Sequence, residues 1–416
     1  MVGEVPAGGP RVATRSWSLV DRHPYLATTV LWSAWLGAAL GVVVGGVRSG
    51  AIADPHRRWP HFGGSLWPLF SWDFGWYRGI AMAGYPHGHG GPEYAFFPLW
   101  PWILRASGSV PDWIAALAVV IVASAFAFAG VAAASPSGRG WRAAVVLACW
   151  PGSFMLLLAY PDVIALAAAA WAAAVALRGR PWLAGVLGAV AAVARPTGFL
   201  IAIALAFAAR GSRAGRLFAI AGPVAGAAAV QIFFWIRSGD PRAFTHAQAL
   251  PIWQRNGPGR LSKWPGHLAH AFEVHASLVA AAAIVAIVLV VLIARRFGRL
   301  YAAAAAYVFV VAGLLLGAQT PQTRIGSAIA AIVVPLLVVL WQLGPRYRPW
   351  ALFATAVFAV SFFSATVTSL GRQALFAFPL YWAVADGPKR LRHPIVAAVA
   401  LAANVAIALT IAKYAP

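Results

Sequence analysis

Runs of roughly 20 consecutive apolar residues recur along this chain, and no water-soluble fold can bury so many of them. Only 10% of the 416 residues are charged, against about 25% in a soluble domain. Lipid must cover what charge does not, so the expected fold is an all-α, polytopic transmembrane helical bundle. Apolar segments fall near 26–48, 113–134, 143–159, 162–177, 182–194, 197–209, 217–237, 276–294, 300–317, 326–343, 350–368, 375–386 and 395–412. Four of them, 162–177, 182–194, 197–209 and 375–386, are short for a full crossing. Short helices that meet at proline read as re-entrant or broken helices lining a cavity. The expectation is about 11–13 membrane segments.

The net charge of +22 would suggest nucleic acid in a soluble protein. Here the basic residues occupy short gaps between apolar runs and form no contiguous basic domain, so nucleic acid is excluded as a partner. The charge reads instead as topology. With the N-terminus inside, Arg139 and Arg142, Arg178 and Arg180, Arg210, Arg213 and Arg216, Arg295, Arg296 and Arg299, Arg346 and Arg348, and Lys389, Arg390 and Arg392 lie in cytoplasmic loops. The short outer loops carry only Arg195, Arg324 and Arg372. This bias requires 182–209 to turn back as a hairpin, since one straight helix there would place Arg210, Arg213 and Arg216 outside.

Residues 1–24 are polar, basic and rich in Gly and Pro, and read as a disordered cytoplasmic tail. Residues 25–416 read as a single transmembrane domain with two long outer loops, 49–112 and 238–275. The run Leu26–Val47 is too long for a cleaved signal peptide and reads as an anchor. The lone cysteine, Cys149, permits no disulfide and no thiolate cluster. Arginine far outnumbers lysine, which stands only at Lys263, Lys389 and Lys413. That bias, with the Ala and Gly excess, points to a GC-rich bacterial genome and so to a bacterial plasma membrane.

In such a chain carboxylates are informative, because a charge at the bilayer centre costs about 3 kcal/mol or more. Asp73 stands in Phe70-Ser71-Trp72-Asp73-Phe74-Gly75-Trp76-Tyr77-Arg78, ringed by aromatics. Apolar surroundings would make it a better base; the alternative is an interfacial aromatic belt with an N-cap aspartate. Downstream, His87, His89 and Glu93 follow one another on a Gly-rich loop, either as metal ligands or as a solvated loop. Asp162, in Tyr160-Pro161-Asp162, is either a second cavity acid or a helix cap. Arg195 interrupts an apolar hairpin and needs a partner, a carboxylate such as Asp162 or a phosphate. Arg324 and Arg372 fall on the same side, to grip a lipid phosphate or to snorkel. Asp54, Asp112, Asp240 and Glu273 read as solvated or capping, and Asp386 as a surface partner of Lys389 and Arg390. Walker, dinucleotide-binding, HExxH and GxSxG motifs are all absent from the sequence.

The blocks Ser71-Trp72-Asp73-Phe74-Gly75-Trp76-Tyr77-Arg78, Gly84-Tyr85 and Glu93-Tyr94-Ala95-Phe96-Phe97-Pro98-Leu99 resemble the GPI mannosyltransferase II (PIG-V) family in order and spacing. Tyr160-Pro161-Asp162, Ala194-Arg195-Pro196-Thr197-Gly198, and Gly371-Arg372 with Phe378-Pro379-Leu380 are similar to later family blocks. The resemblance spans most of residues 65–385. It implies a GT-C-like fold and a glycosyltransferase that moves mannose from a polyprenyl-phosphate donor with inversion. On that reading Asp73 is the general base. Arg372 and Arg195, with Arg324, hold the leaving phosphate, and Glu93, Asp162 and His89 bind sugar hydroxyls. Trp72, Trp76 and Tyr77 stack on sugar or line a lipid groove. No cofactor is required, and a divalent metal stays open. The acceptor is a glycolipid, a glycan or a protein, met on the extracytoplasmic face. Pro161-Asp162 replaces the family's Ser-Glu, and Gln373 stands where the family often has Tyr. A transporter or flippase of lipid-linked sugars is the alternative, and a non-catalytic scaffold a further one.

Overall fold

The computed structural model describes residues 23–54, 60–88, 91–253, 321–363, 370–388 and 394–410, with single positions at 288, 291, 292 and 295. The expected segments 276–294 and 300–317, and nearly all of the expected N-terminal tail, lie outside these residues. Among the described residues the chain is helical throughout, without strands. In chain order the helices are α1 Pro24–Arg48, α2 Phe74–Ala83, α3 Leu99–Ala106, α4 Asp112–Ala133, α5 Gly140–Cys149, α6 Asp162–Leu177, α7 Pro181–Ala194, α8 Ile201–Ala208, α9 Arg213–Ser238, α10 Ala243–Gln248, α11 Pro321–Gln342, α12 Arg348–Phe363, α13 Leu370–Phe376, α14 Pro379–Asp386 and α15 Pro394–Thr410. Three of them, α1, α4 and α9, are long and apolar enough to cross a membrane, and shorter apolar helices accompany them. At about 1.5 Å per residue, each of these three outreaches a hydrocarbon core of about 30 Å. The apolar helices mark a membrane protein.

The bundle is built around α6. Apolar on all sides, this alanine-rich helix is buried along almost its whole length, as expected of a helix with no polar face. Helices α4 and α7 pack against it, α9 packs on α7, and α13 lies on α6 from the far end of the sequence. The α7–α9 contact depends on glycine. A Cβ on Gly226 would meet the Ala189 carbonyl oxygen at 2.7 Å, one on Gly188 the Pro223 ring at 3.0 Å, and one on Gly222 the Gly185 backbone. Small residues allow this close approach where lipid offers no hydrophobic drive for helix association.

The hairpin expected over 182–209 is present. Chain direction reverses at Arg195-Pro196, where Arg195 is extended and closes α7. The chain then returns through a 3-10 turn, Pro196–Leu200, and α8. The Arg210 N–H donates to the Ala176 carbonyl at 3.3 Å, and Gly211 packs on Pro181. The Arg-rich loops at 178–180 and 210–216 therefore meet at one end of α7, with Arg195 at the other.

Two expected spans are broken. The run 143–159 is helical only to Cys149; Trp150-Pro151-Gly152 turns it, with Gly152 at φ +92°, into the 3-10 segment Ser153–Leu157. Pro151 removes a donor and Gly152 supplies the left-handed turn. The backbone groups so released are satisfied from α15. The buried Asn404 Oδ1 accepts from the N–H of Gly152 at 3.0 Å, and its Nδ2 donates to Ser153 Oγ at 2.8 Å. Trp35 Nε1 donates to the same Ser153 hydroxyl at 3.1 Å. The run 375–386 likewise divides before Pro379 into α13 and α14.

Asp54, read as solvated or capping, has a fully buried side chain 3.9 Å from His61 Nε2. Asp386 accepts from the Tyr347 hydroxyl at 2.9 Å; the partners expected for it, Lys389 and Arg390, lie outside the described residues.

Candidate active site

Asp73 occupies the N-cap position of α2, yet its carboxylate caps nothing there. It turns to Arg372 on α13, whose Nη1 donates to Oδ2 at 2.6 Å. Asp162 is the first residue of α6 and makes no side-chain cap either. Its Oδ1 pairs with Arg195 Nη1 and lies 3.6 Å from Arg372 Nε. The four side chains form a line of alternating charge, Asp73–Arg372–Asp162–Arg195. The Asp162 and Arg195 side chains are only 11% and 9% exposed. Arg195 pairs with Asp162, one of the partners its position offered, and Asp162 lines the cavity without capping α6. Alternating signs allow four charges to be sequestered, since each is neutralised by a neighbour.

These residues share one cavity of about 410 Å³, which Asp73, Tyr77, Asp162, Arg195 and Arg372 all line. Its wall is aromatic. The rings of Trp76 and Phe96 stack at 5.8 Å and 17°, and Trp253 meets both nearly edge-on, each at 5.5 Å. Stacked and edge-on rings stabilise one another and present flat apolar faces suited to a sugar ring. The loop after α2 is drawn in by polar contacts. Arg237 Nε donates to the Tyr85 carbonyl at 3.0 Å, the Tyr85 hydroxyl donates to the Phe96 carbonyl at 2.7 Å, and the Tyr94 hydroxyl to Pro86.

Not every sequence candidate lines the cavity. Trp76 reaches it through Phe96 and Trp253. Trp72 and Glu93 are absent from the lining; Glu93 sits in the 3-10 turn Pro92–Ala95, its carboxylate against Gly91. His89 lies outside the described residues, as does the side chain of Arg324, whose backbone belongs to α11. Among the described residues no group of three metal-ligating side chains converges.

Other lining residues escaped sequence reading. Thr245, Gln248 and Trp253 come from the second loop, around α10. Asp240 anchors that helix: the N–H of Arg242 and then His246 hold its carboxyl below the ordinary value of 3.8. Gln248 Nε2 donates to the Ala95 carbonyl at 3.0 Å, tying the second loop to the first. Thr197 and Gln373 also line the cavity, and among the described residues Thr197 Oγ1 and Gln373 Oε1 have no hydrogen-bond partner. Thr197 lay in a block already singled out for Arg195, and Gln373 directly follows Arg372, so both had an available signal. Trp253 had none, since a lone tryptophan in a polar loop carries no spacing.

The turn that delivers Asp73 has an unusual backbone. Trp72 adopts φ +60°, and among the described residues no other non-glycine residue has positive φ. The Tyr160 hydroxyl accepts from the Asp73 N–H at 3.1 Å and donates to the Ser71 carbonyl at 2.8 Å. The guanidinium of Arg372 lies over the Tyr160 ring, 5.4 Å from its centroid. No family model matches the chain, and no curated protein matches it.

Proposed function

We propose that the protein is a membrane glycosyltransferase that moves a hexose, mannose by the sequence resemblance, from a polyprenyl-phosphate sugar to an acceptor hydroxyl with inversion. The observation that carries this reading is the sharing of one aromatic-walled cavity by Asp73 and the two arginines Arg195 and Arg372. An acid for the proton, cations for a phosphate and rings for a sugar are the three elements such a transfer uses.

In the reaction the acceptor oxygen attacks the anomeric carbon from the face opposite the phosphate. The bond from that carbon to the phosphate oxygen breaks, and its electron pair leaves with the polyprenyl phosphate. The hydroxyl proton passes to the Asp73 carboxylate. A lipid phosphate is already a stabilised anion, so no general acid is needed, and Arg372 and Arg195 hold the charge that develops. The donor phosphate also has a role before chemistry. It competes with Asp73 for Arg372, and so frees the carboxylate to face the acceptor only once the donor is in place. Asp162 keeps Arg195 and Arg372 oriented throughout.

The hairpin supports an outward-facing cavity. Arg195 and the Arg-rich loops lie at opposite ends of α7, so holding those loops in the cytoplasm puts the cavity on the extracytoplasmic side of a plasma membrane. The acceptor is a glycolipid, a glycan or a protein carrying a free hydroxyl. The test is Asp73→Asn in membranes supplied with polyprenyl-phosphate mannose. Sugar transfer and release of polyprenyl phosphate should both fall about 10²–10⁴-fold, as expected for loss of a general base. Normal turnover by a folded variant would remove Asp73 from the reaction. Movement of intact donor across the bilayer without release of polyprenyl phosphate would favour the transporter.

A further inference from the structure

A left-handed backbone at a tryptophan, here φ +60°, is a conformation its side chain disfavours. Such a turn persists only where its surroundings over-determine it. At Ser71-Trp72-Asp73 one side chain bonds the backbone on both sides of the strained residue. The Tyr160 hydroxyl takes the N–H that follows the strained residue, at 3.1 Å, and gives its proton to the carbonyl that precedes it, at 2.8 Å. It closes a ring around Trp72 that the backbone alone leaves open. Tyr160 itself is fixed: its side chain is 1% exposed, and the preceding Ala159 N–H donates to the Leu69 carbonyl at 2.9 Å. The chain at 158–160 is thus bonded alongside the chain at 69–73 through both backbone and side chain. The ring of Tyr160 also carries the Arg372 guanidinium that grips Asp73.

We infer that Tyr160 is a positioning residue: its hydroxyl clamps the strained Trp72 turn and thereby aims the Asp73 carboxylate at the cavity, while its ring seats Arg372 opposite. The consequence for catalysis rests on the glycosyltransferase reading; the clamp itself does not. Burial alone does not explain the hydroxyl, because a phenylalanine would fill the same space and support the same cation–π contact.

Tyr160→Phe separates the two parts, since it removes the hydroxyl and keeps the ring. The first measurement is hydrogen–deuterium exchange on the full-length detergent-purified protein. The peptide containing Asp73 should exchange at least 10-fold faster in the variant, with other peptides unchanged. No change at that peptide, or faster exchange spread over the whole protein, would overturn the clamp. The second is transfer from polyprenyl-phosphate mannose to native membrane acceptors. The variant should lose about 10–100-fold in kcat, with its donor KM within about threefold of the parent. Normal kcat alongside faster exchange would overturn the positioning role. Absence of transfer by the unmodified protein would count against the proposed function, while exchange would still decide the clamp.

Discussion

Arg372 Nη1 lies 2.6 Å from Asp73 Oδ2, although 299 residues separate them in sequence. Its Nε faces Asp162 at 3.6 Å, so one planar guanidinium spans both acids. A lysine has the charge but not the fork. Arg372→Lys should keep the protein folded yet lower donor turnover by about 10–100-fold, a loss of about 1.4–2.7 kcal/mol in the transition state. Single-turnover kinetics at saturating donor would measure it. An unchanged rate would mean that point charge suffices.

The Asp162–Arg195 pair makes the opposite kind of prediction, about stability. Both side chains are largely buried, so removing Arg195 leaves Asp73 and Asp162 to share the single guanidinium of Arg372. Arg195→Leu should destabilise the protein by about 3–5 kcal/mol. Adding Asp162→Leu should recover part of that loss, because it removes the surplus negative charge and leaves the Asp73–Arg372 pair balanced. Thermal unfolding of the two variants in one detergent would show the order; a double variant less stable than the single would contradict it.

Thr197 and Gln373 line the cavity, and Thr197 Oγ1 and Gln373 Oε1 are buried without a hydrogen-bond partner among the described residues. An unsatisfied buried polar group costs about 1–3 kcal/mol until a ligand meets it. Thr197→Val and Gln373→Leu should therefore leave the empty protein as stable as before, or more so. They should raise the donor KM about 5–10-fold, equivalent to about 1–1.4 kcal/mol per hydrogen bond. A drop in melting temperature with unchanged KM would assign both groups to the scaffold.

Asn404 supports the broken segment rather than the cavity. Its amide serves Gly152 and Ser153 at once. Asn404→Leu should cost about 2–3 kcal/mol, as two buried partners lose their bonds. Limited proteolysis near residues 150–155 would detect the loosened break. Equal resistance in both proteins would show that another group satisfies it.

Much of this was legible in the sequence because the physics is local. Low charge and long apolar runs required a helical bundle. The arginine bias required the reversal at Arg195-Pro196, which the Arg210–Ala176 contact bears out. Asp73, Asp162, Arg195 and Arg372 stood out because a charge in apolar company needs a reason, and they meet in one cavity. Apart from Asp162 as a partner for Arg195, what sequence does not disclose is pairing. Nothing local says that Arg372 spans Asp73 and Asp162, or that Asn404 lies beside Gly152. The run 143–159 reads as continuous because its hydrophobicity outweighs the Pro151-Gly152 signal. Asp54 reads as solvated or capping because a lone loop aspartate carries no hint of burial. Tyr160 hid for a similar reason: a hydroxyl's value lies in the backbone it reaches, here at Ser71 and Asp73.

The Asn404 tether has a temporal side. The groups it satisfies at Gly152 precede it by 252 residues. At a synthesis rate of about 5–20 residues per second, the broken segment spends roughly 12–50 s without its partner. During that interval the Gly152 N–H must find another hydrogen-bond partner, such as water, because an unmet buried polar group is costly.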